Sequence, residues 1–581
     1  MPTSRATRLP MPPDMHLTWH DADGVARAVA FRAGQSVAAA LTSAGIREMR
    51  ATRRGLDGEG RGLFCGMGVC QDCLVELDGT PNTRACMAKA TPGLVVRHQP
   101  FPGVARLPAG PVPIPDDTPP PAPEAVDLLV LGGGAAGLSA AIAARRCGLD
   151  VLVVEERAAL GGQYYKQPSP GLDAPPLDAQ HAQGAALAAQ AESSGARILR
   201  GAELWGAFEP DRIAVFDGAR TRLLAPRALI VASGAYERPH VVPGWTLPGV
   251  MTTGAAQTLW RSHRVLPGRR VLVAGNGPLN MQVACELAEG GATLVAVAEA
   301  APGPATRLKD AIAMAVADPA LATKGARYLA MLARRHVPLR HGTVLTRIAR
   351  SPDGALRVTL RGAWGEGVHE TDAVLLGYGF LPSQETLRAL GAECVFDAAR
   401  GQFVPRRDDA MMTSVPGLYA IGDCAGLGGA PAAREEGVIA ALAAAERLGR
   451  TVPAAIAAEG DAARRRLARH RRFQAALWRL FAAPRTGLAL ADPGTVVCRC
   501  EEVTKGEIDA ALADGAPPLG EVKRRTRCGM GRCQGRYCAP LLAEHLAETQ
   551  GRPLDDRALF APRAPVKPIA IADIVALAET P

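Results

Sequence analysis

Thirteen cysteines are the residues of this chain whose type and spacing most directly indicate chemistry. They form two terminal groups, at 65–86 and 498–538, and occupy four isolated positions: Cys147, Cys285, Cys394 and Cys424. Disulfide frameworks are typical of short secreted chains, whereas this chain has 581 residues. The terminal groups therefore predict metal sites, and the isolated cysteines predict small buried side chains.

The N-terminal group reads Cys65-x4-Cys70-x2-Cys73-x12-Cys86, within the string GLFCGMGVCQDC. This is the plant-type ferredoxin spacing, in which a tight loop presents three thiolates to a 2Fe-2S cluster and a more distant cysteine supplies the fourth. Glycines in the loop allow the backbone to wrap closely around the inorganic sulfides. Zinc and free thiols are the alternatives, but zinc prefers paired C-x2-C motifs. We predict a 2Fe-2S cluster on these four cysteines.

A glycine-rich loop follows an apolar strand in VDLLVLGGGAAGLSAAIAARRCGLDVLVVEE. Gly132 allows the tight turn, Gly134 lets the backbone approach a pyrophosphate, and Gly137 permits close packing of helix on strand. Glu155 ends the next strand, where a carboxylate accepts hydrogen bonds from ribose hydroxyls. Because strand, loop and helix are all present, the motif predicts a dinucleotide site.

Two later strings indicate which dinucleotide binds. Gly234 lies in ALIVASGAYERP, and Gly422 and Asp423 lie in TSVPGLYAIGDCAG. Together with the first glycine loop, these strings resemble the FAD-binding pattern of the two-dinucleotide-domain flavoproteins related to glutathione reductase. The resemblance implies bound FAD, with Asp423 accepting from a ribityl hydroxyl and with Gly162 and Gln163 lying along the cofactor.

The second glycine loop, Gly275-Asn-Gly277-Pro-Leu-Asn280, departs from the pattern. Asn280 stands where a third glycine would allow close helix packing, and Pro278 removes a backbone donor near the phosphate position. A working nicotinamide site and a Rossmann fold kept for packing are both compatible with this loop. We favour the second interpretation, so NAD(P) is a doubtful cofactor. No C-x2-C or C-x4-C pair lies within 125–450, which disfavours disulfide reductase chemistry.

The C-terminal group opens with Cys498-x-Cys500 and continues with Cys528-x4-Cys533. The C-x-C opening resembles 2Fe-2S domains of the bacterioferritin-associated ferredoxin (BFD) type, in which the closing pair is usually C-x2-C. We predict these four cysteines as ligands of a second iron-sulfur cluster, expected to be 2Fe-2S, and favour it over zinc. The longer gap and the additional Cys538 leave the fourth ligand and the cluster type open.

The order of these motifs predicts the fold that must position them. Strands and helices alternate after residue 125, which indicates a parallel sheet with helices on both faces. We therefore expect an α/β core with two dinucleotide-binding domains of the glutathione reductase kind, an N-terminal β-rich ferredoxin domain and a small C-terminal BFD-like domain. The predicted bounds are 14–103 for the ferredoxin domain, 104–124 for a proline-rich linker, 125–450 for the FAD domain with a second Rossmann-like domain inserted at about 243–375, 451–490 for a helical connector, 491–545 for the BFD-like domain and 546–581 for a tail.

Composition limits the remaining classes of function. The net charge of +9 reflects 66 basic against 57 acidic residues, which we interpret as compositional bias, with no nucleic-acid partner. The arginine run at 464–472 lies beside apolar residues at helical spacing, so it predicts a solvated amphipathic helix. No transmembrane segment and no signal peptide are expected. The predicted location is the cytoplasm, with peripheral contact at the inner membrane face as a variant.

The combination of motifs resembles the α-type subunit of heteromeric amine and amino-acid dehydrogenases. The resemblance rests on GLFCGMGVCQDCLVELDG, EERAALGGQYY, GNGPLN and TRCGMGRCQGRYC. That family includes opine oxidase, D-hydroxyproline dehydrogenase, hydrogen cyanide synthase and, more distantly, sarcosine oxidase, and its small ferredoxin subunit is here fused at the N-terminus. The resemblance implies a partner β subunit that is a flavoprotein of the D-amino-acid-oxidase kind and oxidises CH-NH or CH-NH2 donors. This chain would pass the electrons to a quinone or an electron carrier.

Two alternative functions remain open from the sequence. An NAD(P)H-dependent ferredoxin or acceptor reductase would take hydride at the second glycine loop. A non-catalytic redox-sensing subunit would use its clusters to report oxidation state. The sequence assigns no catalytic residue, since no Ser-His-Asp set and no HExxH site is present.

Overall fold

The computed structural model describes residues 15–55, 60–101, 122–513, 515, 517–555 and 558–575. Residues 104–121 of the predicted proline-rich linker lie outside the described residues. Among the helices described, none is long and apolar enough to cross a membrane.

The N-terminal region is a five-stranded sheet with one helix. In chain order its elements are β1 (His16–His20), β2 (Ala26–Ala30), α1 (Val37–Ser43), β3 (Leu74–Leu77), β4 (Thr80–Arg84) and β5 (Val95–His98). The strand order is β2-β1-β5-β3-β4. Alternation places Leu17 and Trp19 of β1 in the core, and the hydroxyl of Ser36 caps α1 by accepting from the backbone of Ala39. The predicted cluster loop connects α1 to β3.

The first Rossmann domain follows. Its elements are β6 (Glu124–Leu131), α2 (Ala135–Arg146), β7 (Val151–Glu155), α3 (Ala179–Ser193), β8 (Arg197–Arg200), β9 (Glu203–Glu209), β10 (Arg212–Phe216), β11 (Thr221–Val231) and β12 (Ala235–Glu237). The sheet order is β8-β7-β6-β11-β10-β9, with parallel pairing from β8 through β11. Every residue of β7 is buried, as expected of a parallel strand covered on both faces.

A second Rossmann-like domain is inserted next. Its elements are β13 (Val250–Thr252), α4 (Thr253–His263), β14 (Arg270–Gly275), α5 (Pro278–Glu289), β15 (Thr293–Glu299), α6 (Leu308–Ala317), α7 (Pro319–Arg334), β16 (Leu339–His341), β17 (Val344–Arg350), β18 (Leu356–Gly362), β19 (Gly365–Thr371) and β20 (Ala373–Gly377). The parallel sheet has the order β13-β20-β14-β15-β16, and β17-β18-β19 form an antiparallel layer beside it.

The chain then returns to the first domain. The elements are β21 (Phe380–Pro382), α8 (Glu385–Ala389), β22 (Cys394–Asp397), β23 (Gln402–Pro405), β24 (Leu418–Ala420) and α9 (Gly429–Arg447). Strand β24 pairs in parallel with β11 and extends the first sheet. Gly437 brings α9 against α2, because a Cβ there would lie 2.3 Å from the carbonyl oxygen of Ala136. The glutathione-reductase-like core expected from the sequence is confirmed.

The C-terminal region begins with a long helix and ends in a small cysteine-bearing unit. Its elements are α10 (Ala454–Leu480), β25 (Val496–Cys498), β26 (Val503–Thr504), α11 (Lys505–Ala513), α12 (Leu519–Thr526), α13 (Cys538–Gln550) and α14 (Ile571–Val575). In α10, Phe473 and Leu480 are buried while Arg465 and Arg472 are exposed, so the helix is amphipathic.

Candidate functional site

The first glycine loop has the space and the donors that a pyrophosphate needs. A Cβ at Gly132 would lie 2.4 Å from the carbonyl oxygen of Ala232, and one at Gly137 would lie 1.9 Å from the carbonyl oxygen of Gly132, so both positions require glycine. Gly134 is different, because a Cβ there would meet only the Cα of Gly162, at 3.7 Å. Gly134 is the N-cap of α2, and no side chain caps this helix end, which leaves the N–H groups of the first turn for an anion.

Glu155 lies beside this loop at the end of β7. Its buried carboxylate accepts from the backbone of Gly133 at 2.6 Å and of Arg157 at 2.8 Å. Burial raises its pKa, although the two N–H donors oppose the shift. The structure thus brings the predicted ribose acceptor to the glycine loop, as an FAD site requires.

The other predicted flavin-site residues lie at the same edge of the sheet. Strands β6, β11 and β24 are adjacent and parallel, so the loops that follow them, including Gly234 and Asp423, converge. The half-buried Asp423 accepts from the backbone of Gly428 at 3.1 Å and of Gly429 at 2.9 Å, and burial raises its pKa. Gly422, at a φ of +69°, turns the chain into this position.

The segment after Glu155 also reaches the glycine loop. The backbone of Gly161 donates to the carbonyl of Gly133 at 2.9 Å. A Cβ at Gly162 would lie 2.8 Å from the Cα of Gly134, and the half-buried Gln163 follows it in sequence. Gly161 and Gly162 therefore contact the glycine loop, and Glu155 and Asp423 lie at the same edge of the sheet. These donors and acceptors, with the open space at Gly134, fit FAD.

Side chains of the second glycine loop form hydrogen bonds with other segments of the chain. Asn280, at the position of the missing third glycine, donates to the carbonyl of Gly377 at 2.8 Å and accepts from Thr253 at 2.9 Å. Asn276 donates to the carbonyl of Phe481 at 2.9 Å, so the chain just after α10 lies against the loop. That the second fold is kept for packing stays a prediction.

Glu299 is a residue that sequence reasoning missed in this domain. It ends β15 and accepts from the backbone of Gly277 at 2.9 Å, as Glu155 does from Gly133 in the first domain. Burial raises its pKa. The sequence did contain a signal for Glu299, namely an acidic residue at the end of the strand that follows the glycine loop. Glu155 and Glu299 each lie 22 residues after the loop glycine that donates to them.

Another pair without a sequence signal is Lys166 and Glu237. Lys166 is buried and donates to the carbonyl of Gly254 at 3.2 Å and to Gln257 at 2.8 Å. Glu237 accepts from the backbone of Gly254 at 2.8 Å. Burial lowers the pKa of Lys166 to about 7 and raises that of Glu237 to about 7. Two ionisable groups with pKa values near neutrality therefore bond to Gly254, in the first turn of α4.

The four predicted N-terminal ligands form two contacting pairs at the cluster loop, Cys65 with Cys70 and Cys73 with Cys86. Cys65, Cys70 and Cys73 are buried and Cys86 is half-buried. The backbones of Met67 and Cys70 donate to the Cys65 sulfur at 3.5 and 3.4 Å. Burial alone would raise the pKa of Cys65, but the Cys70 thiol and the backbone donors lower it to about 6. A loop that gathers thiols and directs N–H groups at sulfur fits a 2Fe-2S cluster.

This cluster loop lies directly on the flavin domain. Arg157, two residues beyond Glu155, donates to the carbonyl of Gly66 at 2.9 Å. Arg84 donates to the carbonyl of Gly68 at 3.0 Å and pairs with Glu203 at 2.6 Å. The predicted iron-sulfur and FAD sites are therefore joined through hydrogen-bonded residues.

Five thiols converge in the C-terminal region, one more than a 2Fe-2S cluster needs. The sulfurs of Cys498, Cys528 and Cys538 lie within 4.8 Å of one another. The thiols of Cys528 and Cys538 donate to Cys498 and lower its pKa, and the Cys500 thiol donates to Cys533. The structure thus brings the four predicted ligands together and adds Cys538 as a competitor for Cys528.

A pair of single variants decides between these two cysteines. The predicted ligand set requires that Cys528→Ser loses the C-terminal cluster, because serine is a poor ligand for iron, and that Cys538→Ser keeps it. Iron content and electron paramagnetic resonance (EPR) of each reduced variant measure the result. The reverse outcome would give the fourth position to Cys538.

Comparison with family models agrees with this arrangement. Residues 126–437 match the pyridine nucleotide-disulphide oxidoreductase model, which covers more than half of the chain. Residues 23–100 match a 2Fe-2S iron-sulfur cluster binding domain, and residues 496–548 match a BFD-like [2Fe-2S] binding domain. FAD and two 2Fe-2S clusters are therefore the cofactors of this oxidoreductase.

Individual proteins are similar over most of the chain. An opine oxidase subunit of Rhizobium meliloti (strain 1021) is 34% identical over 458 residues, which cover 78% of this chain and 99% of that protein. The hydrogen cyanide synthase subunit HcnB of Pseudomonas aeruginosa is 32% identical over 461 residues, covering 76% and 96%. The structure of L-proline dehydrogenase from P. horikoshii superposes with a TM-score of 0.69 at 19% identity, covering 98% and 99%, which shows a shared fold. The chain therefore belongs to the pyridine nucleotide-disulphide oxidoreductases and, among them, to the FAD and iron-sulfur family that includes these opine oxidase and hydrogen cyanide synthase subunits.

Proposed function

We propose that this chain is the electron-transfer subunit of a heteromeric amine or amino-acid dehydrogenase of the opine, D-hydroxyproline or glycine type. The observation that carries the proposal is the contact between the N-terminal cluster loop and the flavin domain, at Arg157 and Gly66. FAD accepts two electrons together and releases them singly, and each 2Fe-2S cluster carries one. A flavin domain that is hydrogen-bonded to a cluster loop is suited to passing electrons one at a time from the flavin to the cluster.

The proposed electron donor is a second subunit. Two similar proteins are named as subunits, of opine oxidase and of hydrogen cyanide synthase, which supports a heteromeric assembly. We propose a flavoprotein of the D-amino-acid-oxidase kind that oxidises the amine, and a quinone or an electron carrier as the acceptor. The complex would reside in the cytoplasm or at the inner face of the membrane.

Disulfide chemistry, which the name of the matching family suggests, finds no support in the cysteines. All thirteen are described and free. The four outside the terminal groups are buried and isolated, and burial raises the pKa of Cys424 to about 11 and that of Cys285 to about 12. Buried thiols that resist ionisation do not serve as nucleophiles toward a disulfide.

An NAD(P)H-dependent reductase is the first alternative. Hydride would have to enter at the second glycine loop, where the side chain of Asn276 donates to the carbonyl of Phe481, so that the chain just after α10 lies against the loop. This contact disfavours a dinucleotide there, whereas the bond from Gly277 to Glu299 repeats the one from Gly133 to Glu155 in the first domain and does not. The second alternative is a non-catalytic redox-sensing subunit, which would need neither a substrate that donates electrons nor catalytic turnover.

Anaerobic mixing of the isolated, cofactor-loaded chain tests the proposal. We expect neither NADH nor NADPH to bleach the flavin, because Phe481 lies against the second glycine loop. We expect opines, D-hydroxyproline or glycine to bleach it only when the proposed partner flavoprotein is added, because the amine site lies in that partner. No bleaching even then would favour the redox-sensing subunit. Dithionite is the control that shows a reducible flavin. Rapid bleaching by NADH would favour the reductase. Bleaching by an amine without the partner would contradict the need for one.

A further inference from the structure

The two cysteine sites lie against each other although 430 residues separate the parts of the chain that meet. The Cys500 sulfur lies 3.9 Å from the carbonyl oxygen of Cys70. Both residues are predicted ligands, one of each cluster. The two sites therefore share a direct contact between ligand residues.

Arg499 joins the two sites beside this contact. Its sequence neighbours are Cys498 and Cys500, and its side chain pairs with Asp72 at 2.5 Å. Asp72 precedes Cys73, is fully buried, and also pairs with Arg50 at 3.1 Å. A buried ion pair of this kind holds its partners at a defined separation, because separating them would leave an uncompensated charge.

Aromatic rings enclose the same guanidinium. It lies 3.9 Å from the centre of the Phe64 ring and 4.6 Å from that of Trp245. Phe64 precedes Cys65, so Arg499 contacts the cluster loop at both of its ends. It also donates to the carbonyl of Trp245 at 3.0 Å. The cation-π contacts and the ion pair together fix the position of the Arg499 guanidinium relative to the cluster loop.

A second contact between the two domains lies in the turn after Cys500. The carboxylate of Glu502 accepts from the backbones of Arg53 and Arg54, at 2.6 and 2.7 Å. The C-terminal unit is thus bonded to the N-terminal domain at Arg499 and at Glu502, which lie on either side of Cys500 in sequence.

We propose that the two cysteine sites form one fixed and mutually interacting pair, with Arg499 as the positioning residue that holds them together. An electron exchanged within the pair oxidises one cluster and reduces the other by one electron, with no bond broken and no proton moved. The pairing is independent of the amine and of the partner subunit, so it holds even if the proposed function is wrong.

EPR of the fully reduced chain tests the pairing. Cys86→Ser and Cys533→Ser each remove one cluster and give the spectrum of the other alone. We expect the wild-type spectrum to be split or broadened by spin-spin interaction, so that it differs from the sum of these two spectra. A wild-type spectrum equal to that sum would overturn the proposal.

Variants of Arg499 test its positioning role. We expect Arg499→Gln to keep both clusters, measured as iron content, and to lose the splitting. If Arg499→Gln fails to assemble both clusters, Arg499→Lys replaces it in the experiment, because lysine keeps a positive charge opposite Asp72. We expect Arg499→Lys to retain part of the splitting. Arg54→Gln is the matched control between the same two domains. It removes the exposed pair with Glu507, 2.7 Å apart, and the side-chain bond to the carbonyl of Glu502, but it keeps the backbone bond from Arg54 to the Glu502 carboxylate. Unchanged splitting in both Arg499 variants would refute the role.

Discussion

Gly134→Val yields folded protein that lacks FAD. The backbone at Gly134 has a φ of −84°, which any residue adopts, and a Cβ would meet only the Cα of Gly162 at 3.7 Å. The valine methyl groups therefore project into the space before α2, where a pyrophosphate would lie. We expect bound FAD per chain to fall about tenfold or more, since the close approach to the phosphates is blocked.

The flavin absorbance of the purified variant, relative to protein, measures this loss. Gly134→Ala is the graded control, because its Cβ alone makes an ordinary contact with Gly162 and should cost less FAD. Iron content shows whether both cluster domains remain folded. Wild-type FAD content in Gly134→Val would contradict the placement of the cofactor at this loop.

Cys70→Ser removes the N-terminal 2Fe-2S signal and leaves FAD in place. Cys70 is buried in the cluster loop beside Cys65, and serine is a poor ligand for iron, so the variant lacks one of the four predicted ligands. The FAD loop is held by its own hydrogen bonds, including that from Gly133 to Glu155. We expect complete loss of one EPR signal at unchanged flavin content.

Cys147→Ser is the matched control for this variant. Cys147 is buried in the flavin domain, isolated from the other cysteines in sequence, and burial raises its pKa. It should therefore keep both cluster signals. Full intensity of the N-terminal signal in Cys70→Ser would refute the assigned ligands.

Sites built from residues that are close together in the sequence could be predicted from the sequence. Gly132, Gly134 and Gly137 form a local motif whose backbone conformation dictates the residue type, and the strand that follows brings Glu155 to it. The cysteine spacing likewise reflects one local loop. In such cases the same few residues specify both the structure and the chemistry.

Contacts between distant segments could not be predicted in this way. The pairing of Asp72 with Arg499 spans 427 residues, and neither residue type is unusual beside a cysteine. The approach of Phe481 to Asn276 depends on where a long helix ends in space. Cys538 had no distinguishing spacing, although the fold places its sulfur with those of Cys498 and Cys528.

In the proposed assembly, electrons from an amine reach this chain through a partner flavoprotein. Anaerobic addition of the amine to the complex of this chain with a D-amino-acid-oxidase-like subunit, followed by EPR, tests this transfer. We predict that the reduced 2Fe-2S signals of this chain appear, and that Cys86→Ser in the complex lacks the N-terminal one. Reduction of the partner flavin with no cluster signal, or amine-dependent cluster signals from this chain alone, would contradict electron transfer from the partner to this chain.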